Sequence, residues 1–162
     1  MSTATLDSQL DAELARLAPG GGTASLSADK NVRLLAELTA VETLGVALSH
    51  LALDVPHLAG AGQQTLEDWG RALCARVTYL LEGLGPLEFD PQSSELLIRS
   101  VPPSRDAAAT SYFEVMLNAR GNGAFTLARY KATPGAGRTR EDVPLTREVL
   151  KRLVRDAVET IP

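Results

Sequence analysis

Two histidines and a carboxylate are the first residues in this chain whose types and spacing could do chemistry. His50, Asp54 and His57 are separated by four and three residues. On one helix they would share a face, and two imidazoles with a carboxylate suit Zn²⁺ or Fe²⁺. Pro56 works against this, because a proline disturbs the helical geometry that the spacing needs. The three therefore stand as weak metal candidates, and no cofactor is expected. Cys74, the single cysteine, falls mid-helix beside an apolar stripe, where nothing lowers its thiol pKa and a nucleophilic role has no support. No G-x-S-x-G elbow occurs. The glycine-rich stretches at 20–22 and 135–140 lack the lysine and the strand–turn–helix setting of a phosphate loop. No catalytic residue is assigned, and the reading leans away from an enzyme.

The basic residues suggest a second kind of site. Arg138 and Arg140 precede a helix on which Arg147, Lys151 and Arg155 recur every four residues, one stripe that could meet phosphates or an acidic surface. Glu141, Asp142, Glu148, Asp156 and Glu159 dilute it, and no run of aromatic residues offers bases a stacking platform. With a pI near 5.2, nucleic acid is not an expected partner.

Stepping along the chain gives the elements that must position these groups. A short helix over residues 8–17, with Ser8 at its start and Leu10, Leu14 and Leu17 along one stripe, ends at Pro19 and the glycines. Residues 1–28 thus read as a short helix plus a flexible Gly-rich linker, followed by one domain over 29–162. A long helix is expected over 29–53, because Leu34, Leu38, Val41, Leu44, Leu48 and Leu51 recur at three or four. A third helix, opened by Thr65, carries Leu66, Trp69, Leu73, Val77, Leu80 and Leu84. The period then falls to two, predicting strands over 87–90, 95–101, 110–119 and 124–132. A loop follows, and then a closing helix capped by Thr146. The fold class is α+β: N-terminal helices, a four-stranded antiparallel β-meander, and a C-terminal helix packed on the sheet.

The hairpin at 110–132 carries the expected site. A two-residue turn within Gly121-Asn122-Gly123 places Glu114 opposite Arg129 or Lys131, and either choice gives the same faces. Phe113, Val115 and Leu117 then share the core face with Thr126, Ala128 and Tyr130. The second face holds Tyr112, Glu114 and Met116 with Phe125, Leu127, Arg129 and Lys131. A solvated sheet face alternates cleanly; this one carries large apolar groups, so one of the chain's own helices, a second copy or a small ligand must cover it.

Bulk properties bound the rest. The chain has 162 residues, 44% hydrophobic and 22% charged, enough for one globular domain. Arginine outnumbers lysine 13 to 3, a composition associated with GC-rich bacterial genomes. The single cysteine argues against a disulfide-stapled secreted scaffold. No secretory signal or apolar run of membrane-spanning length is visible, so a soluble cytoplasmic protein without a membrane partner is expected. Residues 1–95 hold 13 acids and 5 bases, while residues 96–162 hold 7 acids and 11 bases. The simpler account of that asymmetry is mutual attraction within one fold; an anionic partner is the other.

Helices flanking a curved antiparallel sheet in an acidic chain of this size loosely resemble the small dimeric chaperones of bacterial type III secretion. Those set a helix between sheet strands where residues 102–109 offer too few, and no function or residue is carried over. The expectation is a non-enzymatic protein-binding or self-associating module, a homodimer first and a binder of a protein partner second. The alternative is a small-molecule binder or enzyme with a pocket between sheet and helices, using Arg99, Arg129 and His50.

Overall fold

The computed structural model describes residues 3–106 and 108–162. The chain opens with helix α1 (Thr3–Leu17) and strands β1 (Gly22–Ser27), β2 (Arg33–Val41) and β3 (Gly45–Asp54). Helix α2 (Gln63–Arg76) then packs over the β4, β5 and β7 part of the sheet, on the same face as the other helices. Strands β4 (Leu84–Asp90), β5 (Glu95–Ser100), β6 (Ser104–Arg105), β7 (Thr110–Asn118) and β8 (Phe125–Thr133) follow. Strands β9 (Gly137–Glu141) and β10 (Val143–Thr146) lead into helix α3 (Arg147–Glu159). The protein is α+β with one antiparallel sheet, whose main order is β1-β2-β3-β8-β7-β5-β4.

The sheet has ten strands, not four. The four expected strands are present as neighbours (β4, β5, β7 and β8), and they form the half of the sheet to which β1–β3 and β10 are joined through the β3–β8 pairing. The largest correction is residues 29–53, which form β2 and β3 instead of a helix. Their leucine spacing has a strand origin. Leu34, Ala36 and Leu38 alternate inward, and the register with β3 then shifts twice around Thr39 and Ser49. Each extra residue turns a spacing of two into three, and Ala36, a small inward residue, hides the alternation before it.

Residues 22–27, expected to be flexible, form the edge strand β1, and α1 closes that edge. Gln9 donates to the Ser27 carbonyl at 3.0 Å and accepts from the Ser27 amide at 2.9 Å. The Ser25 amide donates to Glu13 at 2.8 Å, and Arg16 donates to the Thr23 carbonyl at 2.8 Å. Side chains three and four apart on the helix thus substitute for a missing strand and leave little of the edge for another chain to pair with. The opposite edge strand, β4, carries Pro86, Glu88 and Asp90, which blunt it in the usual ways.

All three helices contribute to one core with the sheet. Leu6, Leu10 and Leu14 of α1 are buried, each contributing roughly 1.5–3 kcal/mol. Trp69 of α2 and Phe125 of β8 stack tilted at 5.9 Å, and the Trp69 indole donates to Thr160 at 3.2 Å. Helix α2 begins at Gln63, ahead of Thr65, with Gly62 as its cap residue; Gln63 and Gln64 bond Glu67 and Asp68 one turn on. Helix α3 begins as expected, with Thr146 accepting from the Val149 amide at 3.1 Å. The stretch 133–144, expected to be a loop, instead holds β9 and the start of β10. They fill the wedge where β3 and β8 part, β9 pairing with β8 and β10 with β3.

The basic stripe of α3 faces inward along the molecule. Lys151 pairs with Asp11 at 2.9 Å, Arg155 approaches Asp7 at 4.0 Å, and Arg147 holds the Glu42 carbonyl with two nitrogens. These contacts join the basic half of the chain to its acidic half.

Candidate functional site

The site begins with a register. Between β7 and β8, Leu117 pairs with Phe125, Val115 with Leu127, Phe113 with Arg129 and Tyr112 with Tyr130. The connection is longer than a two-residue turn: the Asn118 amide bonds the Ala124 carbonyl at 2.9 Å, enclosing residues 119–123. An odd number of loop residues shifts the parity by one, and a one-residue slip exchanges every side chain between faces. The expected site is therefore split. Tyr112, Glu114 and Met116 lie on the face away from the helices, while Phe125, Leu127 and Arg129 point into the helix side and are buried. Lys131 is exposed, paired with Ser111 and Thr139 near the end of the hairpin.

Arg129 belongs to the core. It donates through Nη1 to Glu82 and through Nε to Glu141 at 3.1 Å, and its guanidinium lies 4.7 Å from the Phe113 ring. Glu82 also accepts from Ser104 at 2.9 Å. Both members of the Arg129–Glu82 pair are buried, with 6% and 4% of their side chains exposed. This is a closed structural ion pair.

The other face carries no helix among the described residues. Strand pairing sets its rows. Leu97, Met116 and Thr126 lie side by side and continue through Ala52 to Leu35, which is 39% exposed. The next row is Arg99, Glu114, Ala128, His50 and Glu37. Below it come Tyr112 and Tyr130, with Arg140 beside Tyr130 and Arg138 one row further, beside Ala132.

These polar groups interlock. Arg138 donates to Glu114 at 2.8 Å and to the Tyr112 hydroxyl at 3.2 Å, and it lies 3.8 Å over the Tyr130 ring. The bond to Glu114 raises the Arg138 pKa still further above the ordinary arginine value. Arg99 reaches Glu114 at 3.5 Å and lies 5.8 Å from the Tyr112 ring. Tyr112 and Tyr130 are 6.1 Å apart. Arg140 donates to His50 Nδ1 at 3.1 Å, which requires the neutral ring, and His50 is 3.7 Å from Glu37. Three guanidiniums thus surround two tyrosines, and two of them, Arg99 and Arg138, share one carboxylate, Glu114. Such groups hold carboxylates and aromatic faces well. None is placed to act as a nucleophile or general base on a neighbour.

The metal candidates do not converge. On a strand, residues four apart are separated by about 13 Å, so His50 and Asp54 cannot share an ion. His50 lies on the open face, Asp54 accepts from the Gly123 amide, and His57 bonds the Pro162 carbonyl at 3.0 Å. Among the described residues no group of three His, Cys, Asp or Glu side chains is gathered that could hold a metal ion. Burial pushes the Cys74 thiol pKa up, away from reactivity. Arg99 and His50 lie on the opposite side of the sheet from Arg129, and the space between sheet and helices is filled by Trp69, Phe113, Phe125 and leucines. A pocket there using those three residues is not supported.

Sequence reading missed Arg138, Arg140 and Tyr130 as members of this face. The alternation Arg138-Thr139-Arg140-Glu141 was the available signal, a period of two with both arginines on one side. Comparison of the chain with family models, curated proteins and solved structures finds no match in any of the three.

Proposed function

We propose that this protein is a non-enzymatic protein-binding module and that the helix-free face of its sheet is the binding surface. One observation carries the reading. In a protein whose other sheet face is covered by three helices, this face leaves Leu35, Leu97 and Met116 only partly covered, beside two tyrosines braced by arginines. Binding surfaces are enriched in this combination of Tyr, Arg and Met. No helix of the described residues is long and apolar enough to cross a membrane.

Site-specific photo-crosslinking tests it. A photoreactive amino acid replacing Met116 should form a covalent adduct with a polypeptide in cells, whether a second copy or another protein. The same group at Asp68, exposed on α2, should form none. Equal yields at both positions, or no adduct at Met116, would overturn the reading.

A further inference from the structure

The open face is not uniform in charge, and its pattern says what can lie on it. Around Tyr130 the guanidiniums of Arg138 and Arg140 form a basic group, and Arg140 makes no ion pair among the described residues. Diagonally across the face, on β4 and the start of β5, Glu88, Asp90 and Glu95 form an acidic group, in which Glu95 is paired with Arg120 and Glu88 and Asp90 carry the exposed charge. Glu88 is exposed and likewise makes no ion pair among the described residues. Met116 lies between the two groups, on β7, with Leu97 beside it.

We infer that the occupant of this face is a second copy of the chain, related by a two-fold axis that passes near Met116. The inference rests on the binding reading above and names its partner. Two surfaces that meet face to face through a two-fold axis in their plane bring each point opposite its reflection across that axis. An acidic group and a basic group on opposite sides of Met116 are therefore brought together twice. Arg140 of each copy faces Glu88 of the other, and Met116 meets its own image in an apolar centre. A uniformly basic or acidic face would repel itself; this one complements itself.

Reflected across an axis near β7, the five strands from β3 to β4 meet counterparts; at about 4.8 Å each they span about 24 Å, and six residues along them about 20 Å. The projected overlap is then about 480 Å², before side-chain relief, at the small end for a specific interface, which places the dimer in the micromolar range. The alanines Ala52 and Ala128 at its middle let the two sheets approach.

Sedimentation equilibrium between low micromolar and a few hundred micromolar protein tests this on the full chain. The wild type should associate to a dimer and no further, because a two-fold interface closes. Arg140→Glu and Glu88→Arg should each raise the dimer dissociation constant at least about tenfold, and the combined variant should return to within about threefold of wild type. Circular dichroism and thermal melts check that each variant is folded; both sites are exposed and neither makes an ion pair among the described residues, so they should be. A wild type that stays monomeric throughout, or a combined variant no tighter than either single one, would overturn the second-copy inference. The binding reading is judged separately: a monomer that still crosslinks at Met116 to a different protein would sink only this inference.

Discussion

Arg129→Met separates a binding role for Arg129 from a core role. The substitution keeps the aliphatic stem and removes the guanidinium. Its partner Glu82 then keeps a carboxylate with 4% of its side chain exposed and only Ser104 donating to it. Glu141, at 36% side-chain exposure, turns to water at small cost. Removing one member of a buried ion pair costs about 3–5 kcal/mol, because the other charge stays desolvated. For a chain of this length 1 kcal/mol moves the melting temperature by about 2–4 °C, so a fall of roughly 6–20 °C is expected. Urea unfolding read through Trp69, the single buried tryptophan, measures the free energy directly. Adding Glu82→Leu should recover most of the loss, since a buried pair replaced by apolar residues is near neutral. A single variant within about 1 kcal/mol of wild type, or a double variant no better than the single, would refute the closed-pair account.

Other consequences can be measured independently. The bond from Arg16, then that from the Ser25 amide, hold the Glu13 pKa below its ordinary value; stability from this contact is full above the unfolded glutamate pKa and is lost as pH falls through the lower folded one. Hydrogen exchange at Ser25 should therefore accelerate under acid conditions before the central strands open, and Glu13→Ala should cost about 0.5–1 kcal/mol at neutral pH. Lys30 adopts φ 60° in the β1–β2 turn, so Lys30→Gly should raise stability by about 0.5–1 kcal/mol in urea unfolding; a loss would contradict the left-handed turn. Cys74 should react with iodoacetamide far more slowly at pH 8 in the native protein than in urea, followed by intact-mass measurement; equal rates would show that the thiol is not shielded.

What could be read from sequence divides by how local the signal is. Stripes such as Leu10–Leu14 and Leu150–Val154 made the existence of α1, α2 and α3 legible, as did the cap at Thr146, a contact three residues long; their ends were less so, since α1 begins at Thr3 ahead of Ser8 and α2 stops at Arg76, leaving Val77, Leu80 and Leu84 of its expected stripe outside the helix. Strands β2 and β3 were not, because alanines and leucines with good helix propensity occupy them and two bulges break the alternation. Their extended form is fixed by partners far along the chain, β8 and β10, and no local rule reports that. The site was half legible. Tyr112, Glu114 and Met116 share the open face as expected, yet the parity across the hairpin depends on the loop at 119–123, and a glycine-rich loop fits two residues or five equally well. That single choice moved Phe125, Leu127 and Arg129 into the core and left Tyr130 outside.

The most direct measurement is therefore of which methyl groups water reaches. With methyl-labelled protein at low concentration, a soluble gadolinium chelate should strongly relax Met116, Leu35 and Leu97 while leaving Val115 and Leu127 shielded. Raising the protein concentration should protect Met116 and Leu97. Leu127 relaxing like the exposed Leu44, with Met116 shielded in dilute solution, would mean the faces are exchanged and would contradict the account.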